Sequence, residues 1–327
     1  MQNRQSRSLA SAISQYEQRY GRQPPPGFDK WYHFMNANNI TLVDEYDFMT
    51  HSPDPYWHVT PKVLRDYIDV AASMAPSSTR LGVLEIKDHE ATVYNSNFQH
   101  EQLVQLLKPV LEFLPDMRML LNDLDESRVV VPHDLLNPPQ PSKSSDLQDL
   151  SALANETTPF SFTDLGHQNT FETIALSCPP DSSARSPSYP RHQSNTDIPF
   201  ISNITEARDI CQYPAWIANQ HGLLSSPGTF VFTHQRVPIA STAKLSCFQD
   251  ILIPSSYYFQ GDIAEYNESW DSSWEEKRDN VYWRGSGTGG QWHDGSWRHG
   301  HRQRFVNFTN SPTQMVQLMN QTELGRQ

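Results

Sequence analysis

Between residues 138 and 199 the chain loses its hydrophobic periodicity. Pro138, Pro139, Pro141, Pro179, Pro180, Pro187, Pro190 and Pro199 are interspersed with Ser, Asn and Asp. Proline fixes its own φ and lacks a backbone N–H, so such a run is excluded from helix interiors and central strands. A stretch this long without regular structure is uncommon inside a compact domain. It reads as a surface insertion or a mobile linker between ordered segments on either side. A length of 327 residues allows about two domains.

The first ordered segment opens with helices. Leu9, Ile13, Tyr16 and Tyr20 share one helical face, and Gly21 stands where a C-terminal cap belongs. Pro24-Pro25-Pro26-Gly27 imposes an extended stretch and a turn, and a second short helix is expected around residues 28–36. Residues 80–94 read as a hairpin, with Leu81–Ile86 and Ala91–Tyr94 flanking the polar turn Lys87-Asp88-His89-Glu90. Leu103, Leu107, Val110 and Leu114 share a helical face, and Pro109 should kink that helix or start a new turn. Met117–Leu121 reads as a buried strand that empties into Asn122-Asp123-Leu124-Asp125-Glu126. Order returns near residue 210, with Tyr213–Trp216, Phe230–Phe232 and the apolar, aromatic block Asp250–Phe259.

Apolar residues make up 37% and aromatic residues 11%, enough for a real core and against wholesale disorder. The net charge of −12 argues against a general nucleic-acid binder. No stretch approaches the roughly 18 apolar residues of a membrane helix, and Met1–Gln5 leads into no signal-peptide core. Cys178, Cys211 and Cys247 are too few and too far apart in sequence for a zinc site or a disulfide framework. An odd count leaves at least one thiol free or paired between chains; the plain reading is buried or partly buried free thiols, and the sequence does not say which cysteines pair. Asn-x-Ser/Thr sequons begin at Asn39, Asn155, Asn203, Asn267, Asn307 and Asn320, an excess that points to the lumen of the secretory pathway.

Two segments could carry chemistry. Acidic groups just past a buried strand sit where open α/β sheets bind ligands, and an Asp there can act as a general base. Asp123 and Asp125 also spell Asp-x-Asp, a spacing that can hold a divalent metal, or simply a solvated acidic turn. The second segment runs from Lys277 to Arg304. It holds Lys277, Arg278, Arg284, Arg298, Arg302 and Arg304 against only Asp279 and Asp294, a local net charge of +4. At its centre is Trp283-Arg284-Gly285-Ser286-Gly287-Thr288-Gly289-Gly290. Glycines let backbone N–H groups approach an anion, arginines bind phosphate in bidentate fashion, and aromatic rings cover a base or sugar. A P-loop is rejected because Gln291 and Trp292 replace its Lys and Ser/Thr. A serine-hydrolase elbow lacks its spacing. A His299-x-His301 metal site lacks a third ligand. An RNA-stacking surface and a plain basic loop remain as alternatives.

Several segments, in order, resemble one family. They are Tyr20-Gly21-Arg22-Gln23-Pro24-Pro25-Pro26-Gly27-Phe28-Asp29-Lys30-Trp31-Tyr32, Leu114–Met117, Leu124-Asp125-Glu126-Ser127-Arg128-Val129, Asp250–Ser255, Tyr282–Ser286 and Gly300–Phe305. In them the chain resembles the fungal capsule-associated glycosyltransferases of glycosyltransferase family 90, relatives of the animal protein O-glucosyltransferases. The resemblance implies a GT-B-like α/β fold: a Rossmann-like acceptor-side domain and the beginning of a second Rossmann-like donor domain. The segments then divide into N-terminal helices and the first part of the acceptor side (1–137), the insertion or linker (138–199), the rest of the acceptor side (200–244) and the start of the donor half (245–327).

The implied reaction is inverting transfer of xylose or glucose from a UDP-sugar to a hydroxyl of a polysaccharide or glycoprotein, without a metal or other cofactor. Asp125 falls on the family's general base, with Asp123 and Glu126 beside it on the acceptor side. Arg284, Gly285, Ser286, Thr288, Arg302 and Arg304 fall in the donor site. A donor motif and a Pro-Trp-x-His-Tyr block of the family are not found, so the chain is expected to be a truncated member. The full-length protein would carry a type II anchor in the Golgi or ER membrane. The competing enzyme class is a metal-dependent GT-A transferase. The competing non-enzyme is an inactive carbohydrate- or partner-binding remnant, in which Trp57 and Trp216 stack sugars.

Overall fold

The computed structural model describes residues 4–95, 97–137, 161–186, 208–214, 218, 221–256, 266–280 and 282–310, with the backbone of 197–200 and 317–320. Helix α1 (Leu9–Tyr20) starts where the Ser8 hydroxyl accepts the Ser11 N–H, and it ends at Gly21, whose φ of 64° lets its N–H reach Glu17 O. Helix α2 (Phe28–Ala37) follows the proline run through Gly27 at φ 86°. The two helices bury Ala12 and Tyr32 together with Val43, and Leu9, Phe28 and Trp31 pack against them. Three further helices lead into the sheet: α3 (Asp47–His51), α4 (Pro61–Ser73) and α5 (Pro76–Thr79).

Strands β1 (Leu81–Lys87) and β2 (Glu90–Tyr94) form the expected hairpin, with Lys87 paired to Glu90. Asp88 and His89 at its tip both have positive φ, 49° and 63°, as a two-residue type I′ turn requires. Helix α6 (Phe98–Leu107) is capped by the Asn97 side chain. Pro109 then begins a separate 3₁₀ turn over Lys108–Phe113, since its ring cannot continue the α-helix. Strand β3 (Met117–Asn122) is central, and Leu120, Leu121 and Asn122 are buried. Helix α7 (His133–Leu136) lies beyond the acidic loop.

Strand β4 (Thr163–Asp164) pairs antiparallel with β6 (Val231–Phe232), and the backbone of β5 (Asp197–Phe200) runs parallel to β9 (Gln317–Asn320). Strands β7 (Ile239–Ser241) and β8 (Ile251–Leu252) complete a five-stranded sheet of order β2-β1-β3-β7-β8. Pairing is antiparallel on the β2-β1-β3 side and parallel across β3-β7-β8. The period of two divides the core. Leu81, Val83, Leu120 and Ile239 meet Ala71 and Ile68 of α4 on one face. Leu84, Ile86, Leu121 and Ala240 meet Leu103 and Leu107 of α6 on the other. The protein is therefore α/β, with helices on both faces of a mixed sheet. The apolar block at 250–259 supplies β8 to this same sheet, although the resemblance assigns it to a separate donor half. Its residues 257–259 lie outside the described positions.

Part of the proline-rich stretch is packed. Phe171, Ile174, Ala175, Cys178 and Ala184 join Leu223, Leu224, Phe230, Phe232 and Phe248 in a further core. The plain reading of free thiols holds for Cys247 alone, which is buried; Cys178 and Cys211, whose pairing the sequence left open, form a disulfide beside it. Sequence spacing hid this because a separation of 33 residues is closed by the chain folding back, not by a local motif. Among the described residues no helix is long and apolar enough to cross a membrane.

Candidate functional site

Strands β3, β7 and β8 are parallel, so their carboxyl ends lie on one edge of the sheet. The acidic loop leaves that edge directly after Asn122. The Asn122 side chain shapes it. Its Oδ1 accepts the Leu124 N–H at 3.0 Å, and its Nδ2 donates to Glu126 O at 2.6 Å and Ser241 Oγ at 3.0 Å.

The three acidic side chains diverge. The Asp123 carboxylate is clamped by Arg80 Nε at 3.2 Å and by Asn97 Nδ2. Asp125 is exposed. Glu126 is half-buried, and burial pushes its carboxyl above the usual range, with the Asp125 charge adding to the shift. The Asp-x-Asp pair thus does not act as a unit: one member is spent on holding the loop, and the other is open to solvent.

Beneath the loop lie two buried charged residues, joined through the backbone of one, that sequence reasoning did not single out. Arg128 and Asp250 are fully buried. The Asp250 carboxylate accepts the Arg128 N–H at 3.0 Å, the Val129 N–H at 2.8 Å and the Ser241 hydroxyl at 2.6 Å. The Arg128 guanidinium donates to Arg80 O at 2.7 Å and to Thr79 O, and lies 5.2 Å from the Phe162 ring centroid. Burial dominates both groups. It lowers Arg128 to about 10 and raises Asp250 despite its hydrogen bonds. Residues from five positions along the chain are thereby tied at one edge. Lys244, in the loop after β7, is held below the usual lysine range by burial, with Asp250 and Asp54 opposing. The sequence carried one signal for this frame: Asp250 opens an otherwise apolar run.

The basic segment has its own geometry. Arg302 Nη1 donates to Ser286 O at 3.1 Å, Thr288 O at 2.9 Å and Thr288 Oγ1 at 2.8 Å, curling the glycine-rich loop around one guanidinium. The Trp283 ring meets Phe305 edge-on at 5.7 Å. Arg284, Gly285, Ser286 and Thr288 are exposed, and Arg304 is partly buried, which lowers its pKa. No side chain of the helix His301–Asn310, which carries Arg302 and Arg304, is fully buried.

The segment docks through backbone: Gln291 N–H donates to Ser226 O at 2.7 Å, and Gly289 and Gly290 press on Gly222. The His301 ring faces His221 at 6.0 Å and is pushed down to about 4 by desolvation, with His221 and Arg304 adding to the shift. The structure therefore gathers the predicted donor residues in one segment and the predicted acceptor residues in one loop, each held by different elements. Trp57 is exposed, and Trp216 lies outside the described residues. Compared with protein-family models, curated proteins and solved structures, the chain matches none.

Proposed function

We propose that the chain works as an inverting transferase of GT-B type, moving xylose or glucose from a UDP-sugar to a hydroxyl of a polysaccharide or glycoprotein. The observation that carries the reading is Asp125, an exposed carboxylate just beyond the carboxyl end of a buried strand, on a loop where Asp123 is committed to Arg80 and Asn97 and Glu126 is half-buried. Such an edge is where α/β sheets bind ligands.

Asp125 would take the proton of the acceptor hydroxyl as its oxygen forms a bond to the anomeric carbon. The bond from that carbon to the diphosphate oxygen breaks on the opposite face, and UDP departs with the electron pair. Arg284, Arg302, Arg304 and the N–H groups around Gly285 would stabilise the charge on the departing diphosphate. No metal is required by this scheme, because cationic side chains take that role. The disulfide agrees with a working place in the ER or Golgi lumen, where such bonds persist.

The test is transfer to water or to an acceptor from UDP-xylose and UDP-glucose, in EDTA. The expected outcome is measurable turnover that falls at least a hundredfold in Asp125→Asn with folding unchanged, in line with general-base catalysis. Equal activity in the two proteins removes Asp125 as base, and rescue only by Mn²⁺ favours the GT-A class. A second reading is a non-catalytic carbohydrate-binding protein. It is favoured by Arg302, whose Nη1 is already used on the loop it would have to share with a diphosphate.

A further inference from the structure

A cavity of about 720 Å³ opens between helices α1 and α2, the segment 43–57 and the 3₁₀ turn that precedes β3. That size lies within the range of ligand sites, roughly 300–1,000 Å³. Its wall contains no residue of the acidic loop and none of the basic segment, so it is separate from the region assigned above. Rings run along it in a connected series. Tyr20 and Tyr16 meet at 4.6 Å, Tyr16 and Phe28 at 5.5 Å, Phe28 and Trp31 at 4.9 Å, and Trp31 and Tyr46 at 5.8 Å. Trp57 stands in the same wall, 58% exposed, with its indole N–H donated to Asp54 at 3.0 Å.

The charges in the wall are already matched. Arg19 is paired with Glu45 and Asp47, and its Nη1 also donates to Asp44 O. Arg22 lies over the Trp57 ring at 4.3 Å, donates to Thr50 O and faces Asp54. The Asp44 carboxylate accepts the Ser6 N–H at 2.7 Å. Among the described residues of this wall, a phosphate or a carboxylate would find no unpaired cation. A neutral ligand with flat C–H faces and peripheral hydroxyls fits both halves of the wall: rings for its faces, and the phenolic oxygens of Tyr16, Tyr20 and Tyr46 with the Asp44 carboxylate and the Thr50 carbonyl for its hydroxyls.

We infer that this cavity is a glycan-binding site, distinct from the transfer site, that holds a neutral oligosaccharide against the Tyr16–Tyr46 ring series and Trp57. The inference deepens the carbohydrate reading above by naming a second contact with the glycan. It needs neither a UDP-sugar nor Asp125.

The test is calorimetric titration of the intact chain with neutral hexasaccharides of glucose, xylose and mannose, without donor, with lauric acid as the apolar control. At least one hexasaccharide is expected to bind. Trp57→Ala and Tyr46→Ala, each checked for an unchanged thermal midpoint, should weaken that binding at least tenfold. Asp125→Asn should leave it unchanged. Absence of binding by all three sugars overturns the inference, as does equal binding by Trp57→Ala and Tyr46→Ala, or uptake of lauric acid alone. Sugar binding lost in Asp125→Asn would place the glycan at the acidic loop instead and also overturn it. Failure of transfer with hexasaccharide binding intact would count against the proposed reaction only.

Discussion

Cys247 shows how one side chain reports its surroundings. Its thiol is buried against the Cys178–Cys211 disulfide, with the three sulfurs within 4.8 Å of one another. Burial raises its pKa from 9.0 to about 11. Between those values the folded chain holds a proton that the unfolded chain has released. The stabilisation is therefore fully present below pH 9 and is lost as pH rises through 11. Two units correspond to about 3 kcal/mol at 1.36 kcal/mol each. Denaturant melts of the wild type should show this extra loss between pH 9 and 11, and Cys247→Ala should lack it. The same burial keeps the thiol protonated at neutral pH, so it is a poor nucleophile toward its neighbouring disulfide. Arg128 and Asp250 make the matching point for charge: each is tolerable inside the protein only because the other groups at the sheet edge are fixed around it.

At the scale of elements, the docking of the glycine-rich segment depends on a contact between backbones. A Cβ placed on Gly222 would lie 1.1 Å from Gly289 O and 2.7 Å from Gly290 Cα. Gly222 begins the short helix Gly222–Ser225, whose Leu223 and Leu224 are buried in the core around the disulfide. The helix cannot retreat without moving that core. Gly222→Ala should therefore push the basic segment off its seat. Hydrogen exchange of residues 282–310 is expected to rise while β1 and β3 stay protected, at a cost of about 1–3 kcal/mol typical of overpacking. Unchanged exchange in that segment would show that the contact is not what holds it.

The N-terminal elements were more legible. The Leu9–Tyr20 face, the Gly21 cap, the hairpin around residues 88–89 and the strand after Pro115-Asp116 are local patterns, and each appears at the expected place. The region around Phe171–Ala175 was not legible, because its five-residue helix is too short to show a period and acquires its partners from residues 210–248.

For the whole molecule, the disulfide and the sequons bear on the same question of compartment. Asn39, Asn267 and Asn307 are exposed among the described residues. On the lumenal reading, chain made in a secretory eukaryotic host should carry N-glycans at these positions. Peptide mapping after enzymatic deglycosylation should find Asn39, Asn267 and Asn307 converted to Asp. Unmodified peptides from protein that did enter the secretory pathway would contradict the assignment.

The amino-acid sequence by itself determined α1, α2, the β1–β2 hairpin and β3, the position of the acidic loop at the end of a strand, and the clustering of positive charge near Gly285. Each of those follows from period, cap, turn chemistry or local composition, which act over a few residues. Only the tertiary structure decided that β8 joins the same sheet as β1, that Cys178 meets Cys211, that Asp250 reaches Arg128, and that Asp123 is clamped while Asp125 stays open. Those outcomes join residues far apart in the chain, from 26 positions for Asn97 and Asp123 to 122 for Arg128 and Asp250. They are set by which buried surfaces and polar groups can be satisfied together, a condition that no short window of sequence contains.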